Sequence, residues 1–316
     1  MKLIYLAAIL VTFGAGMLFA WTLFAKPKSL SPEDLAARYE TPLPKPTGPL
    51  NVFHLGHSLV GRDMPAMLAQ MAEHTYASQL GWGTPLKAHW EPDEPIAGYE
   101  TENAHKNFRD AKSALAGGEF DAFVLTEMVE IEAAIDYFEA PLYLEKWVAA
   151  ARDGNPDIRT YLYESWHSLD DPNGWLTRLD TDPDRYWEGV LLAQAMANLD
   201  HPQPIYVIPA GRVFAEVVRK VEASEGFDGV TSREDFFARQ DDGSVDPIHI
   251  NDLGAYLVAL THYAVLYHRS PEGLPSQFNR ADGSPAIAPG PALTQLLQKT
   301  VWEVVSRLPT TGISTQ

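Results

Sequence analysis

The stretch Asn51-Val-Phe-His-Leu-Gly-His-Ser-Leu-Val-Gly61 sets the organisation of this chain. Its first five residues are mainly apolar and predict a short buried β-strand, and the glycines that flank Ser58 predict a turn. A serine hydroxyl is a weak nucleophile at neutral pH, so a reactive Ser58 needs a base, a group that orients the base, and donors for an oxyanion. Those partners must lie elsewhere in the chain.

Strand and helix patterns alternate along the rest of the chain. The predicted strands cover residues 51–55, 86–91, 120–125, 158–163 and 204–208, and the predicted helices cover residues 63–77, 102–115, 142–152, 186–197, 213–221, 251–268 and 292–306. This alternation predicts one three-layer α/β/α domain over residues 51–316, with a parallel sheet covered by helices on both faces. Ligands bind outside the carboxyl ends of such strands, so we expect the chemistry directly after each strand.

Composition excludes several classes of function. With 42 acidic and 24 basic residues the formal net charge is −18, which repels phosphate backbones and predicts no nucleic-acid partner. The absence of cysteine excludes disulfides, thiolate metal sites and a cysteine nucleophile.

The sequence motifs predict no cofactor. No glycine-rich phosphate loop follows a predicted strand, so no nucleotide cofactor is expected. His54 and His57 would point to opposite faces of a strand, so no metal site is expected either.

The N-terminal region predicts export. Residues 3–25 carry no charge and are followed by Lys26 and Lys28. As a helix they would span about 35 Å, enough to cross a hydrocarbon core of about 30 Å. We therefore predict a signal anchor, or alternatively a cleaved signal peptide, over residues 1–25, and a proline-rich spacer over residues 26–50. The domain is expected in the cell envelope, periplasmic or extracellular, and in contact with the membrane through the N-terminal helix only.

A candidate base and its orienting acid lie together near the end of the domain. Asp246-Pro-Ile-His249 precedes the last long helix, which Asn251 or Asp252 can cap. An aspartate three residues before a histidine, on a turn that enters a helix, can place its carboxylate at Nδ1 while Nε2 faces outward. Each fragment alone is common in ordinary turns, and only its combination with Ser58 is informative.

These fragments resemble two sequence blocks of the SGNH hydrolases, also called the GDSL esterase and lipase superfamily. Gly56-His-Ser-Leu59 resembles the first block, and Asp246-Pro-Ile-His249-Ile-Asn251, with Gly254, resembles the last. The resemblance covers residues 51–268. It implies a flavodoxin-like fold with a five-stranded parallel sheet.

The resemblance also implies the chemistry of a serine esterase. Ser58 would be the nucleophile, His249 the base, and Asp246 the residue that orients the base. The expected reaction is hydrolysis of a carboxylic ester, an O-acetyl group on a carbohydrate or small molecule, through an acyl-enzyme. The alternatives are acyl transfer to an envelope glycan and a catalytically inactive envelope binding protein.

The middle blocks of the family are less well matched. The resemblance implies an oxyanion hole made by the Ser58 amide, a glycine and a side-chain amide, and Gly98 is the candidate glycine. The usual asparagine is replaced by Thr126-Glu127. The Thr126 hydroxyl or a nearby amide is the candidate third donor, since an ionised glutamate cannot donate.

Other residues after the predicted strands are candidates for substrate contact. Glu127, Trp166 and His167 are expected to bind substrate. Five tryptophans fall in or next to predicted loops, where an indole face could stack on a sugar ring; the alternative is that they complete the core. They are Trp82, Trp90, Trp166, Trp175 and Trp187.

Overall fold

The computed structural model describes residues 27–314. The predicted anchor or signal segment, residues 1–25, lies outside these residues and stays a prediction. No helix within residues 27–314 is both long enough and apolar enough to cross a membrane. The proline-rich segment packs onto the domain: Tyr39 is buried and its hydroxyl donates to the Ile205 carbonyl at 2.6 Å.

A five-stranded parallel sheet forms the centre of the domain and confirms the predicted α/β class. The strand order is β2-β1-β3-β4-β5, which is the order of flavodoxin-like sheets. Phe53 on β1 lies opposite Ala77 on β2 and Phe123 on β3. The strands are β1 (Asn51–Gly56), β2 (Thr75–Leu80), β3 (Ala122–Leu125), β4 (Arg159–Glu164) and β5 (Tyr206–Pro209), with a separate antiparallel pair of β6 (Phe237–Arg239) and β7 (Val245–Ile250).

Helices surround the sheet in two groups. One group joins α11 to α2, α10 and α12, and the other joins α7 to α3, α5 and α9. The α-helices are α1 (Pro32–Ala37), α2 (Asp63–Ala72), α3 (Leu86–Trp90), α4 (Tyr99–Glu102), α5 (Ala111–Ala116), α6 (Ile131–Phe138), α7 (Ala140–Gly154), α8 (Trp175–Asp182), α9 (Ala193–Asn198), α10 (Ala210–Glu222), α11 (Asp252–Tyr267) and α12 (Pro291–Val305). A π-helical segment (Pro183–Leu192) joins α8 to α9, and short 3₁₀ turns cover Arg233–Phe236 and Pro309–Thr311.

The second strand differs from the prediction. Residues 86–90 form α3, and the strand is Thr75–Leu80, part of which was predicted to continue the preceding helix. Glu73 ends α2 because it adopts a left-handed conformation with φ of 53°. This termination has no glycine to signal it in the sequence. Pairing with β1 then organises the following residues as an edge strand.

Four further elements differ from the prediction. The predicted helix 102–115 is divided into α4 and α5, because the Asn103 side chain pairs with the backbone N–H and C=O of Leu80, and Asp110 caps α5. The helices α6 and α8 were not predicted. The Asp246 and His249 segment was predicted as a turn but lies on β7, where β6 provides its pairing partner.

Candidate active site

Ser58 sits on a tight turn directly after the central strand β1. The N–H groups of Val60 and Gly61 donate to the His57 carbonyl at 2.9 and 3.4 Å, which closes the turn around Ser58. A Cβ on Gly56 would lie 2.6 Å from the Thr126 side chain, so the strand end has room only for glycine. Ser58 itself is partly exposed at the carboxyl edge of the sheet.

Two buried histidines, His57 and His89, stabilise this turn through hydrogen bonds. His57 Nε2 donates to the Glu127 carbonyl at 2.8 Å, and its Nδ1 accepts the Leu59 N–H at 3.3 Å. His89 Nε2 donates to the Gly56 carbonyl at 2.9 Å. Burial lowers the pKa of each imidazole to about 4, so both are neutral at pH 7 and act as hydrogen-bonding supports.

The structure places Ser58, His249 and Asp246 in one chain of hydrogen bonds. His249 Nε2 lies 3.1 Å from Ser58 Oγ, and His249 Nδ1 lies 2.9 Å from Asp246 Oδ2. With Nδ1–H donating to the carboxylate, Nε2 presents its lone pair to the Ser58 hydroxyl. This arrangement can transfer the serine proton to the imidazole.

The Asp246 carboxylate is fixed by its own strand. Its Oδ1 accepts the N–H groups of Ile248 and His249, both at 2.9 Å. Burial alone raises the pKa of Asp246, but these N–H donors and the His249 ring outweigh it, so the pKa lies below its ordinary value. Asp246 is therefore ionised at neutral pH and acts as an acceptor for the imidazole.

The loop after β4 supports the strand that carries His249. Trp166 Nε1–H donates to the Ile248 carbonyl at 2.9 Å, and the Leu169 N–H donates to the Pro247 carbonyl at 2.8 Å. Asn251 caps α11 by accepting the Leu253 N–H, one of the two caps expected from the sequence. The position of His249 thus depends on a segment about 80 residues earlier in the chain.

The three oxyanion donors expected from the sequence differ in their surroundings. The Ser58 N–H has no backbone or side-chain acceptor within residues 27–314, and neither does the Gly98 N–H. Gly98 precedes α4 with φ of 69° and packs against Trp82.

The Thr126 hydroxyl donates to the Tyr163 carbonyl at 2.7 Å, so its one proton is already used. Gly81, at the true end of β2, donates its N–H to the Gly56 carbonyl at 3.1 Å.

The residues expected to bind substrate face the protein interior. Glu127, Trp166 and His167 are all buried. Glu127 Oε1 accepts the N–H groups of Leu86 and Met128, and burial raises the pKa of Glu127 to about 7. His167 Nε2 pairs with Asp182 at 3.0 Å. Side chains enclosed in this way do not fit a substrate wall.

One cluster of possible metal ligands lies beside His167. Atoms of Glu130, His167 and Asp171 lie close enough together to share an ion. However, the Arg178 guanidinium enters the cluster, with Nη1 at 2.7 Å from Asp171 and Nη2 at 3.6 Å from Glu130. The arginine supplies the positive charge that these carboxylates need, so the donor set does not call for a cation.

Comparison with known proteins gives only distant similarity. No family model and no curated protein matches this chain. A solved DUF4886 family protein from Bacteroides uniformis is similar, with 15% identity, a TM-score of 0.48, and coverage of 82% of this chain and 95% of that chain.

Two solved carbohydrate esterases are more distant. The family 3 enzyme from Talaromyces cellulolyticus has 12% identity and a TM-score of 0.38, over 69% of this chain and 97% of that chain. The family 2 enzyme with a carbohydrate binding domain from Corynascus thermopiles has 14% identity and a TM-score of 0.30, over 84% of this chain and 68% of that chain. At this distance the similarities carry no argument about the activity of the chain.

Proposed function

We propose that this chain is a serine esterase of the SGNH type that hydrolyses a carboxylic ester through an acyl-enzyme. The observation that carries the proposal is the hydrogen-bonded series in which Ser58 Oγ lies 3.1 Å from His249 Nε2, and His249 Nδ1 lies 2.9 Å from Asp246. A nucleophile, a base and an orienting carboxylate in this order are the groups that acyl transfer to serine requires.

The proposed reaction has two steps. His249 Nε2 takes the Ser58 proton as Oγ attacks the ester carbonyl, and the resulting imidazolium returns that proton to the departing alcohol. Water then attacks the acyl group on Ser58, with His249 again accepting and returning a proton. Asp246 stays ionised throughout and stabilises the imidazolium.

The oxyanion formed in each step needs hydrogen-bond donors. We assign the Ser58 N–H as the first donor because it has no acceptor within the described residues. The Gly98 N–H, also without an acceptor there, is the proposed second donor. A donor of this kind contributes about 3–4 kcal/mol to transition-state stabilisation.

The proposed substrate is an O-acetyl ester of a carbohydrate. Support for a sugar as the alcohol comes from Trp82, whose exposed indole lies in the loop after β2. The preceding residue, Gly81, donates its N–H to the Gly56 carbonyl at the end of β1. The uncharged N-terminal residues 3–25 support export of the domain to the cell envelope, which fractionation of cells that express the full chain would test.

The test of the proposed chemistry is covalent labelling of the full chain with a fluorophosphonate probe. We expect one adduct on Ser58, located by peptide mass spectrometry, and turnover of acetylated sugars by the unlabelled protein. Labelling of another residue, or no labelling together with no turnover, would overturn the proposal. Product analysis with and without a sugar acceptor separates hydrolysis from acyl transfer, because only transfer yields a newly acetylated acceptor.

A further inference from the structure

One of the five tryptophans near predicted loops exposes its ring. Trp166, Trp175 and Trp187 are buried and Trp90 is half-buried, so these four complete the core. Trp82 is 51% exposed. An exposed tryptophan that is held in one orientation offers a ligand a large aromatic face and a polar N–H edge.

Three contacts hold Trp82 in one orientation. Its backbone N–H donates to the Ala97 carbonyl at 2.8 Å, and its indole Nε1–H donates to Glu102 at 2.8 Å. The ring packs against the backbone of Gly98, where an added Cβ would overlap the indole. One face of the ring is thus covered and the opposite face is free. A ligand that stacks on the free face finds it already oriented, which reduces the entropy cost of binding.

The free indole borders an open cleft with an acidic lining. The cleft encloses about 820 Å³, within the range of roughly 300–1,000 Å³ that is usual for small ligands. Within residues 27–314, no lysine or arginine lines the cleft. His89 does line it, but burial lowers the pKa of this imidazole to about 4 and so keeps it neutral at pH 7. The carboxylates that line it belong to Glu91, Glu94, Glu100 and Asp110. Glu91 is already paired with Tyr143 and Lys146, and Asp110 caps α5. Glu94 and Glu100 are therefore the acceptors that the cleft offers to a ligand.

This lining selects by charge. Carboxylates repel acidic ligands, whereas they accept hydrogen bonds from hydroxyl groups. An aromatic face beside several hydroxyl acceptors matches a sugar ring, which has apolar C–H faces and an equatorial rim of hydroxyl donors. The cleft therefore suits a saccharide without carboxylate, sulfate or phosphate groups.

Two hydrogen bonds connect the cleft to the end of β1, which leads into the Ser58 turn. His89, which lines the cleft, donates to the Gly56 carbonyl, two residues before Ser58. Gly81, directly before Trp82, donates to the same carbonyl. The cleft and the Ser58 turn are thus fixed to one point of β1.

We infer that the cleft at Trp82 binds an uncharged pyranose, stacked on the free indole face with its hydroxyls bonded to the cleft carboxylates. The further assignment of this cleft as the binding site for the alcohol part of an ester rests on the proposed function. Saccharide binding itself does not require the Ser58 hydroxyl, so sugar binding and esterase activity can be tested separately.

Calorimetric titration of the full-length Ser58→Ala variant tests the site. The probes are unsubstituted gluco-, xylo- and N-acetylglucosamine oligosaccharides, with oligogalacturonate as the acidic counterpart. We expect at least one neutral oligosaccharide to bind, and oligogalacturonate to bind at least about tenfold more weakly. Adding Trp82→Ala should weaken binding of the neutral sugar by about tenfold or more.

Two more variants separate the ring from its orientation. Gly98→Ala keeps the indole, but its Cβ displaces the ring, so binding should weaken as in Trp82→Ala. Tyr137→Ala removes another exposed aromatic side chain, outside the cleft, and should leave binding unchanged. The inference is overturned if Trp82→Ala binds like its parent, if no neutral probe binds at about 10 mM, or if oligogalacturonate binds as well as the neutral sugars. Since Ser58 is absent throughout, failure of the esterase proposal would leave these results unchanged.

Discussion

The carboxyl edge of the sheet has two parts that the strand pattern does not distinguish. We call the first part the exposed group, because its side chains are partly open to solvent; it comprises Ser58, Asp246 and His249. The second part is the buried group, whose residues also lie at or directly after strand ends but are at most 2% exposed. It comprises Thr126, Glu127, Glu164, Trp166 and His167.

The two groups differ in what satisfies their polar atoms. In the buried group, Thr126 bonds Tyr163 and Trp166 bonds Ile248, so protein atoms take up these donors. Two further polar atoms of the group, Glu127 Oε2 and His167 Nδ1, are enclosed without a partner among residues 27–314. In the exposed group, the hydroxyl of Ser58 pairs with His249 alone. A position after a strand therefore brings a residue to the edge, but the segments packed over it decide whether it can reach a substrate.

The largest expected effect is on the exposed group. Ser58→Ala removes the proposed nucleophile and should lower kcat for ester hydrolysis by about 10⁴-fold or more. Ser165→Ala is the matched control: it removes a buried serine at the end of β4 whose hydroxyl has no partner within residues 27–314, and it should leave kcat unchanged. Steady-state kinetics on an acetyl ester measures both. Equal kcat values for Ser58→Ala and wild type would show that Ser58 is not the nucleophile and that the exposed group has no catalytic role distinct from the buried group.

The next effect concerns orientation of the base. Asp246→Asn replaces the carboxylate that accepts Nδ1–H of His249, so the imidazole loses its preferred tautomer and kcat should fall by about 10²–10⁴-fold. Asp242→Asn changes an exposed aspartate on the turn between β6 and β7 and is the control. If both variants keep full kcat, Asp246 does not orient His249.

A pH-dependent effect is expected from the buried group. Burial raises the pKa of Glu127 from 4.5 to about 7, so the folded protein binds this proton more tightly than the unfolded chain. The free energy of unfolding therefore falls as pH rises from about 4.5 to about 7. Glu127→Gln keeps the size and the Oε1 acceptor and removes this loss.

Urea unfolding at several pH values measures this effect. The Glu127→Gln variant should be more stable than wild type by about 1–3 kcal/mol at pH 8, and the difference should shrink toward zero at pH 4. A difference that is constant with pH would show that Glu127 does not titrate in this range. That result would place its carboxylate in contact with water, as in the exposed group.

The smallest expected effect links the two groups. Trp166→Phe keeps a ring in the core but removes the N–H bond to Ile248, so His249 is held less firmly and kcat should fall by about tenfold or less at unchanged KM. Trp175→Phe is the matched control, because that buried indole donates to the His167 carbonyl at 2.9 Å and does not bond to β7. If the two variants have the same kcat, Trp166 supports the core alone and not His249.

Much of the fold could be predicted because its central strands are short apolar runs. The strands β1, β3, β4 and β5 and the long helix α11 lie within a few residues of their predicted positions. The edge strand β2 could not be predicted, since its residues Thr75–Leu80 alternate poorly and its pairing with β1 decides its conformation. The strand β7 was missed because Pro247 argues against a strand, and because its neighbour in the sequence and pairing partner, β6, is only three residues long.

For the candidate site, sequence patterns alone were enough to select the proposed reactive groups: a serine on a glycine-flanked turn, and an aspartate spaced three residues before a histidine. Local geometry is enough for both, because neighbouring residues set a turn and an i, i+3 contact. Only the tertiary structure decided that His249 meets Ser58 across 191 residues of chain. It also decided that Trp82 stays exposed while Trp166 is buried. Burial depends on segments that pack together from distant parts of the chain, and no short stretch of sequence contains that information.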